Sequence, residues 1–177
     1  MADIVYYVAC SLDGFIATLD GSAEFLPQQG PHADEYFKKL ANFDHVLMGR
    51  NTYEYGYAFG LTPGKRAYPH MQHHIISKTL DFGAKGEVDI VRQDPLTYIE
   101  QLKRNAKTDI YLCGGGQLAG LLASNNLIDQ LKLKVAPVAI GSGIALFGAN
   151  PLLAEFTLTN SKSYTNGVTL AEYILKS

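Results

Sequence analysis

A chain of 177 residues with 47% hydrophobic and 18% charged positions is long enough to build one hydrophobic core without a disulfide or a metal. Its 15 Lys+Arg against 17 Asp+Glu leave a formal charge of −2 with no block of like charges, which excludes the electrostatic field that nucleic-acid and membrane-surface binding require. Cys10 and Cys113 both sit in apolar runs, where a thiol is a small buried hydrophobe, so a reduced, cytoplasmic protein is expected. The stretch from Met1 to Gly14 has no basic region and too short an apolar run for a signal peptide or a span.

Period and punctuation predict a first strand over Ile4 to Cys10, followed by a long Gly- and Pro-bearing connection from Asp13 to Pro31 of the kind that is often functional. A helix is predicted over His32 to Asn42, with Tyr36, Phe37 and Leu40 on its apolar face. Val46, Leu47 and Met48 form a short strand ending in Gly49, and Arg50-Asn51-Thr52-Tyr53 opens a helix that Asn51 or Thr52 would cap. The loop Leu61 to His70 leads to a strand centred on Ile75 and Ile76, and another covers Val88 to Val91. Asp94-Pro95 supplies an N-cap and a first-turn proline for a helix carrying Leu96, Ile99, Leu102 and Ala106 at helical spacing. Ile110 to Cys113 reads as a buried strand that ends in Gly114-Gly115-Gly116 and continues as a helix from Gln117 to Ser124. A strand from Asp129 to Val138, a glycine loop through Gly141 and Gly143, and a hairpin of Phe156 to Tyr164 with Val168 to Leu175 complete the chain. Strands alternate with helices before the pattern becomes all strand, and no repeat or linker divides it, so residues 1–177 read as one α/β domain around a mixed sheet.

Two strand ends carry the chemistry. Gly49-Arg50-Asn51-Thr52 and Gly114-Gly115-Gly116 each join a strand to a helix, where backbone N–H groups are unpaired and the missing Cβ lets a phosphate approach. Either motif alone has a plainer reading as a tight turn, since glycine serves any turn that needs positive φ. Neither a P-loop nor the G-x-G-x-x-G dinucleotide fingerprint is present.

Taken in order, Ala9-Cys10-Ser11-Leu12-Asp13-Gly14-Phe15-Ile16-Ala17, Met48-Gly49-Arg50-Asn51-Thr52-Tyr53, Ile76-Ser77-Lys78-Thr79, Cys113-Gly114-Gly115-Gly116-Gln117-Leu118 and Leu127-Ile128-Asp129 with Pro137 and Gly141-Ser142-Gly143 resemble the dihydrofolate reductase-like superfamily over essentially the whole chain. The Ser-Leu-Asp-Gly opening and the Pro137 to Gly143 spacing look closer to its RibD C-terminal branch, the riboflavin-pathway reductases. The resemblance implies a three-layer α/β sandwich with a central, mostly parallel mixed sheet, flanking helices and a C-terminal antiparallel hairpin. It further implies NADPH lying across the carboxyl end of that sheet. By position Arg50, Ser77 and Lys78 would meet the 2′-phosphate, Asn51 and Thr52 at the Gly49 turn the pyrophosphate, and Gly114, Gly115, Gly116 and Gln117, with Leu118 following, its other side. Ala9 and Cys113 would line the nicotinamide, with Ile16 and Ala17 at the edge of a mobile covering loop. Arg50 and Lys78 have plainer readings as an ion-pair partner and a solvated lysine.

The substrate side departs from both relatives. Folate-reducing members place an acid four residues before a Phe-Lys pair, and here that position is Ala33, with Asp34 next to it and turned by about 100°. The riboflavin-pathway branch usually follows its Leu-Ile-Asp with Glu, whereas Asp129 is followed by Gln130. Asp13 reads as a turn cap or as a catalytic acid, Asp34 as a substitute acid, and Lys134 as an outward-facing lysine or a partner for an anionic substrate. His70, His73 and His74 lack a nearby carboxylate or cysteine to complete a metal shell, so no metal is expected. The reading is an NADPH-dependent reductase acting on a small heterocyclic or sugar-derived molecule, most simply the uracil reductase of riboflavin biosynthesis. A dihydrofolate reductase and a non-catalytic NADPH-binding protein are the alternatives, and long terminal strands suggest a homodimer.

Overall fold

The apolar strands assemble into an eight-stranded sheet of order β5-β4-β3-β6-β1-β7-β10-β9. This computed structural model describes residues 1–149 and 152–176. The strands are β1 Ile4–Cys10, β3 His45–Gly49, β4 Gln72–Ile76, β5 Asp89–Val91, β6 Ile110–Gly114, β7 Gln130–Val135, β9 Phe156–Ser163 and β10 Thr169–Leu175. From β5 to β7 the pairing is parallel, and β10 runs antiparallel to both β7 and β9. Two short strands, β2 Phe15–Ala17 and β8 Ile144–Ala145, form a separate antiparallel ribbon.

Parallel strands must be covered on both faces, which is why β1, β3 and β6 read as near-continuous apolar runs. On one face Val5, Tyr7, Val46, Met48, Ile75, Tyr111 and Leu170 pack beneath α1 Pro31–Leu40 and α2 Arg50–Tyr55. On the other, Ile4, Tyr6, Leu47, Ile110 and Leu112 meet α3 Pro95–Asn105 and α4 Gly116–Ser124 through Ile99, Leu118 and Leu122. The three layers match the expected dihydrofolate reductase-like sandwich. Asp94 caps α3 as read, accepting from Thr97 N.

Three expectations are corrected. The long β7 stops at Val135 because Pro137 has no N–H to extend a ladder, and Ala136 N bonds back to Cys10 O instead. The Asp13 to Pro31 connection is not loop throughout, since β2 pairs with β8, elements too short for periodicity to reveal. Neither Asn51 nor Thr52 caps α2; Gly49 occupies the N-cap and no side chain bonds there. No helix among the described residues is long and apolar enough to cross a membrane.

A charge network fastens α1 to the terminal hairpin. Glu35 accepts from Lys162 Nζ at 2.5 Å and Tyr164 Oη at 2.8 Å, while Lys39 bridges Glu35 and Glu172. These bonds, Lys162 foremost, hold the Glu35 carboxyl down at about 2 against an ordinary 4.5. A folded-state value below the unfolded one adds stability that is complete above about pH 4.5 and is lost as pH falls towards 2. Glu35→Gln should therefore flatten the acid limb of stability over that window, read by urea unfolding at a series of pH values. An unchanged acid limb would remove Glu35 from it.

Candidate active site

The two glycine turns lie against each other. β3 and β6 are paired in parallel, with Met48 opposite Gly114, so Gly49 and Gly115 emerge side by side at the carboxyl end of the sheet. A Cβ on Gly49 would lie 3.6 Å from Gly115 N, and one on Gly115 would lie 3.1 Å from Thr52 Oγ1. The groove between the turns is thus walled by backbone and one hydroxyl. Gly49 and Gly115 are the N-caps of α2 and α4, and neither helix has a side-chain cap, so the first-turn N–H groups of both are left without intrahelical or capping partners. Two uncapped helix starts at one groove suit an anion. Gly114 itself has φ of 122°, a conformation that favours glycine.

The second turn also serves packing. A Cβ on Gly116 would stand 2.2 Å from Ala145 O, so the bare Cα of this glycine allows close packing against β8, while its N–H is among the first-turn amides of α4. The Leu118 side chain is buried in the core, leaving only its backbone near the turn, while Gln117 is exposed.

On the β4 side of the groove, Arg50 ion-pairs with Glu54 at 3.0 Å, as the plainer reading anticipated, but its Nη1 also donates to Thr79 Oγ1 at 2.7 Å. The guanidinium therefore bridges the turn after β3 to the segment after β4. Ser77 is buried, and its Oγ accepts from the N–H of Thr79 and of Leu80, which shapes that segment. Lys78 is exposed and forms no ion pair among the described residues. Two open cavities, of about 560 Å³ beside Phe82, Val91 and Arg92 and about 600 Å³ beside Thr18, Phe25 and Ser142, flank the molecule, and neither is walled by the glycine turns.

On the opposite side the groove leads to β1 and β7. Ala9, half-buried, pairs directly with Lys134 at the carboxyl ends of these strands. Lys134 does not face outward: alternation places Leu131 and Leu133 in one core and turns Lys132 and Lys134 to the other face. Its ammonium stands 3.5 Å over the Tyr36 ring and 5.3 Å from that of Tyr7. Burial pushes it down to about 8. Cys113, half-buried on β6, shares this wall, and burial pushes its thiol up, so it is not a thiolate. Ile16 and Ala17 lie in β2, held by β8.

Of the candidate acids, Asp13 is fully engaged at the carboxyl end of β1 and Asp34 is exposed. Asp13 accepts from Ser11 Oγ at 2.6 Å, from Gly141 N at 2.7 Å and from Ile140 N, which ties the β1–β2 turn to the loop before β8. The Ser11 hydroxyl and these amides hold its carboxyl below the usual range, which suits a brace and not a proton donor. Asp34 lies on the exposed face of α1, and Ala33 is the residue turned inward. Asp129 binds Lys103 Nζ and Ile4 N, and Gln130 donates to Asp3. These contacts lie at the amino end of β1, so the Gln130 departure sits at the far end of the sheet from the glycine turns and says nothing about a substrate there. His73 and His74 are buried with both ring nitrogens engaged, and burial pushes both down to about 4.

The sequence missed the cage of Tyr7 and Tyr36 around Lys134, in which the Tyr36 hydroxyl meets that of Tyr111 at 2.5 Å. Its signal was the Lys-Leu-Lys alternation of β7 inside a sheet covered on both faces.

The architecture defines a dihydrofolate reductase-like α/β protein, with the two glycine turns at the carboxyl edge of the sheet. The model of the RibD C-terminal domain family matches residues 2–170, and the chain belongs to that family. It is similar to the uncharacterized Bacillus subtilis proteins YwjB, 29% identical over 94% of each chain, and YyaP, 25% identical over 96% of this chain and 93% of the other. Among solved structures it is similar to a putative riboflavin biosynthesis protein from Shewanella sp. PV-4, with a TM-score of 0.82 and 25% identity over the whole of both chains. A pyrimidine reductase-like protein from Corynebacterium diphtheriae shares the fold, with a TM-score of 0.76 and 18% identity over 99% of this chain and 92% of that one.

Proposed function

We propose that this chain is an NADPH-dependent reductase that delivers a hydride to an electron-poor C=N or C=O bond of a small heterocyclic or sugar-derived substrate, of the 5-amino-6-(5-phosphoribosylamino)uracil reductase type. The observation that carries the reading is the contact of the Gly49 and Gly115 turns, which opens two uncapped helix starts onto one backbone-walled groove. Amides from the Gly49–Thr52 and Gly114–Gln117 turns would hold a pyrophosphate, with Arg50 and Lys78 at the 2′-phosphate. The charge of Arg50 lies on the β4 side, so the nicotinamide end would run towards Ala9, Cys113 and Lys134. When bound, the dihydronicotinamide supplies the hydride. The protein orients the reactants and excludes water, with Ile16 and Ala17 at the edge of the ribbon that would cover them.

The dihydrofolate reductase reading has less support, because the inward position on α1 is Ala33 and Asp34 points to solvent. A methotrexate titration should accordingly show no tight complex. A homodimer is proposed from β9, a sheet edge that no described strand covers. The decisive experiment is a fluorescence titration with NADPH followed by its oxidation in the presence of the uracil substrate. Saturable binding and turnover are expected. Binding without turnover would favour the non-catalytic alternative, and no binding would overturn the reading.

A further inference from the structure

Lys134 is a cation with no visible counterpart. It is 9% exposed, yet its ammonium makes no hydrogen bond or ion pair with any described residue. The groups facing it are aromatic or neutral: Tyr36 from α1, Tyr7 from β1, Cys113 from β6 and Leu170 opposite it on β10. The nearest charges along β7 and β10, Lys132 and Glu172, pair with each other. Tyr7 adds a buried hydroxyl without a partner. A desolvated ammonium with unused N–H donors is costly unless an acceptor completes it. Because Lys134 pairs with Ala9 at the carboxyl end of the sheet, on the side away from Arg50, the missing acceptor lies where the reacting end of a dinucleotide would reach.

We propose that Lys134 is the proton donor of the reduction, facing the nicotinamide end of the groove from its tyrosine cage. The inference rests on the reductase reading above. As the acceptor carbon gains the hydride, the π electron pair of the C=N or C=O bond moves to the heteroatom. A Lys134 N–H bond then breaks and the new N–H or O–H bond forms. The neutral amine takes its next proton from solvent. Loss of hydride also makes the nicotinamide ring cationic, and a positive ring beside an ammonium weakens that ammonium's hold on its proton. Hydride departure and proton delivery are thereby coupled through one charge, with no carboxylate required.

The coupling is measurable without any substrate. NADPH and NADP⁺ share the 2′-phosphate, so calorimetric titration of both in buffers of different ionisation enthalpy cancels its protons and leaves those due to the ring. At pH 7.5 the wild-type protein should release roughly half a proton more on binding NADP⁺ than on binding NADPH, and should prefer NADPH by about threefold. Lys134→Met should abolish both differences. Lys134→Arg keeps the charge and cannot give it up, so it should keep the preference, lose the proton release and lose turnover of the uracil substrate. Arg also serves as the second variant if Met at this position does not fold. Equal proton release and equal preference in wild type and Lys134→Met, with both nucleotides binding, would overturn the proposal and leave the reductase reading standing. No binding of either nucleotide would remove both.

Discussion

Arg50→Ala should weaken NADPH binding by roughly ten- to a hundredfold and leave NADH binding nearly unchanged, the range expected for loss of one charge-assisted contact to a phosphate. The two nucleotides differ only in the 2′-phosphate, so the comparison isolates the group that Arg50 would meet. In the structure the guanidinium is shared between Glu54 and Thr79 and lies exposed at the groove. A phosphate would displace the Glu54 carboxylate from it, and Glu54→Gln should therefore raise the preference for NADPH. The surface pair itself contributes little to stability, which predicts an unchanged unfolding midpoint for both variants. Calorimetry or fluorescence titration reads the result, and equal losses for NADPH and NADH would remove Arg50 from the 2′-phosphate site.

The second large effect falls on stability. Gly116→Ala should cost on the order of 3 kcal/mol and lower the melting temperature by roughly 5–15 °C, because the new methyl would stand 2.2 Å from the Ala145 carbonyl oxygen and 3.0 Å from Gly148 N. Both are backbone atoms of the β8 turn, so relief requires α4 to move away from it. Gly49→Ala is the contrast. Its φ of −74° suits any residue and its nearest neighbour would be at 3.6 Å, an ordinary contact. That variant should fold normally and lose nucleotide affinity, since the methyl fills the groove. A scan of thermal unfolding with and without NADPH separates the two. If Gly116→Ala melts like the wild type, the packing role assigned to this glycine is wrong.

What could be read from the chain followed the physics that leaves local marks. Apolar runs announced β1, β3 and β6, the Ile75-Ile76 pair announced β4, and Asp94-Pro95 announced α3, because strand burial and helix capping are written into adjacent residues. The glycines were legible as turns but not in what their bare Cα atoms serve: Gly115 and Gly116 are neighbours in sequence, yet a Cβ on one would meet Thr52 across the groove and a Cβ on the other would meet Ala145 of β8, a distinction set by the fold and not by adjacent residues. Asp13 looked like a local Asp-Gly cap, while its partners Ile140 and Gly141 are brought to it only by the fold. Gln130 looked like a substrate-side departure because strand polarity is not visible in composition. Lys134 is legible only as an outward-facing lysine or a partner for an anionic substrate, because a lysine in a strand usually faces solvent and only a sheet covered on both faces forces it inward.

The most direct measurement of the central claim is the electron density of a crystal soaked in NADPH. The account predicts the pyrophosphate between Gly49 and Gly115, within hydrogen-bonding distance of the first-turn amides of α2 and α4, with the 2′-phosphate on Arg50 and the nicotinamide beside Ala9. A dinucleotide bound elsewhere while the backbone-walled groove stays empty would contradict it.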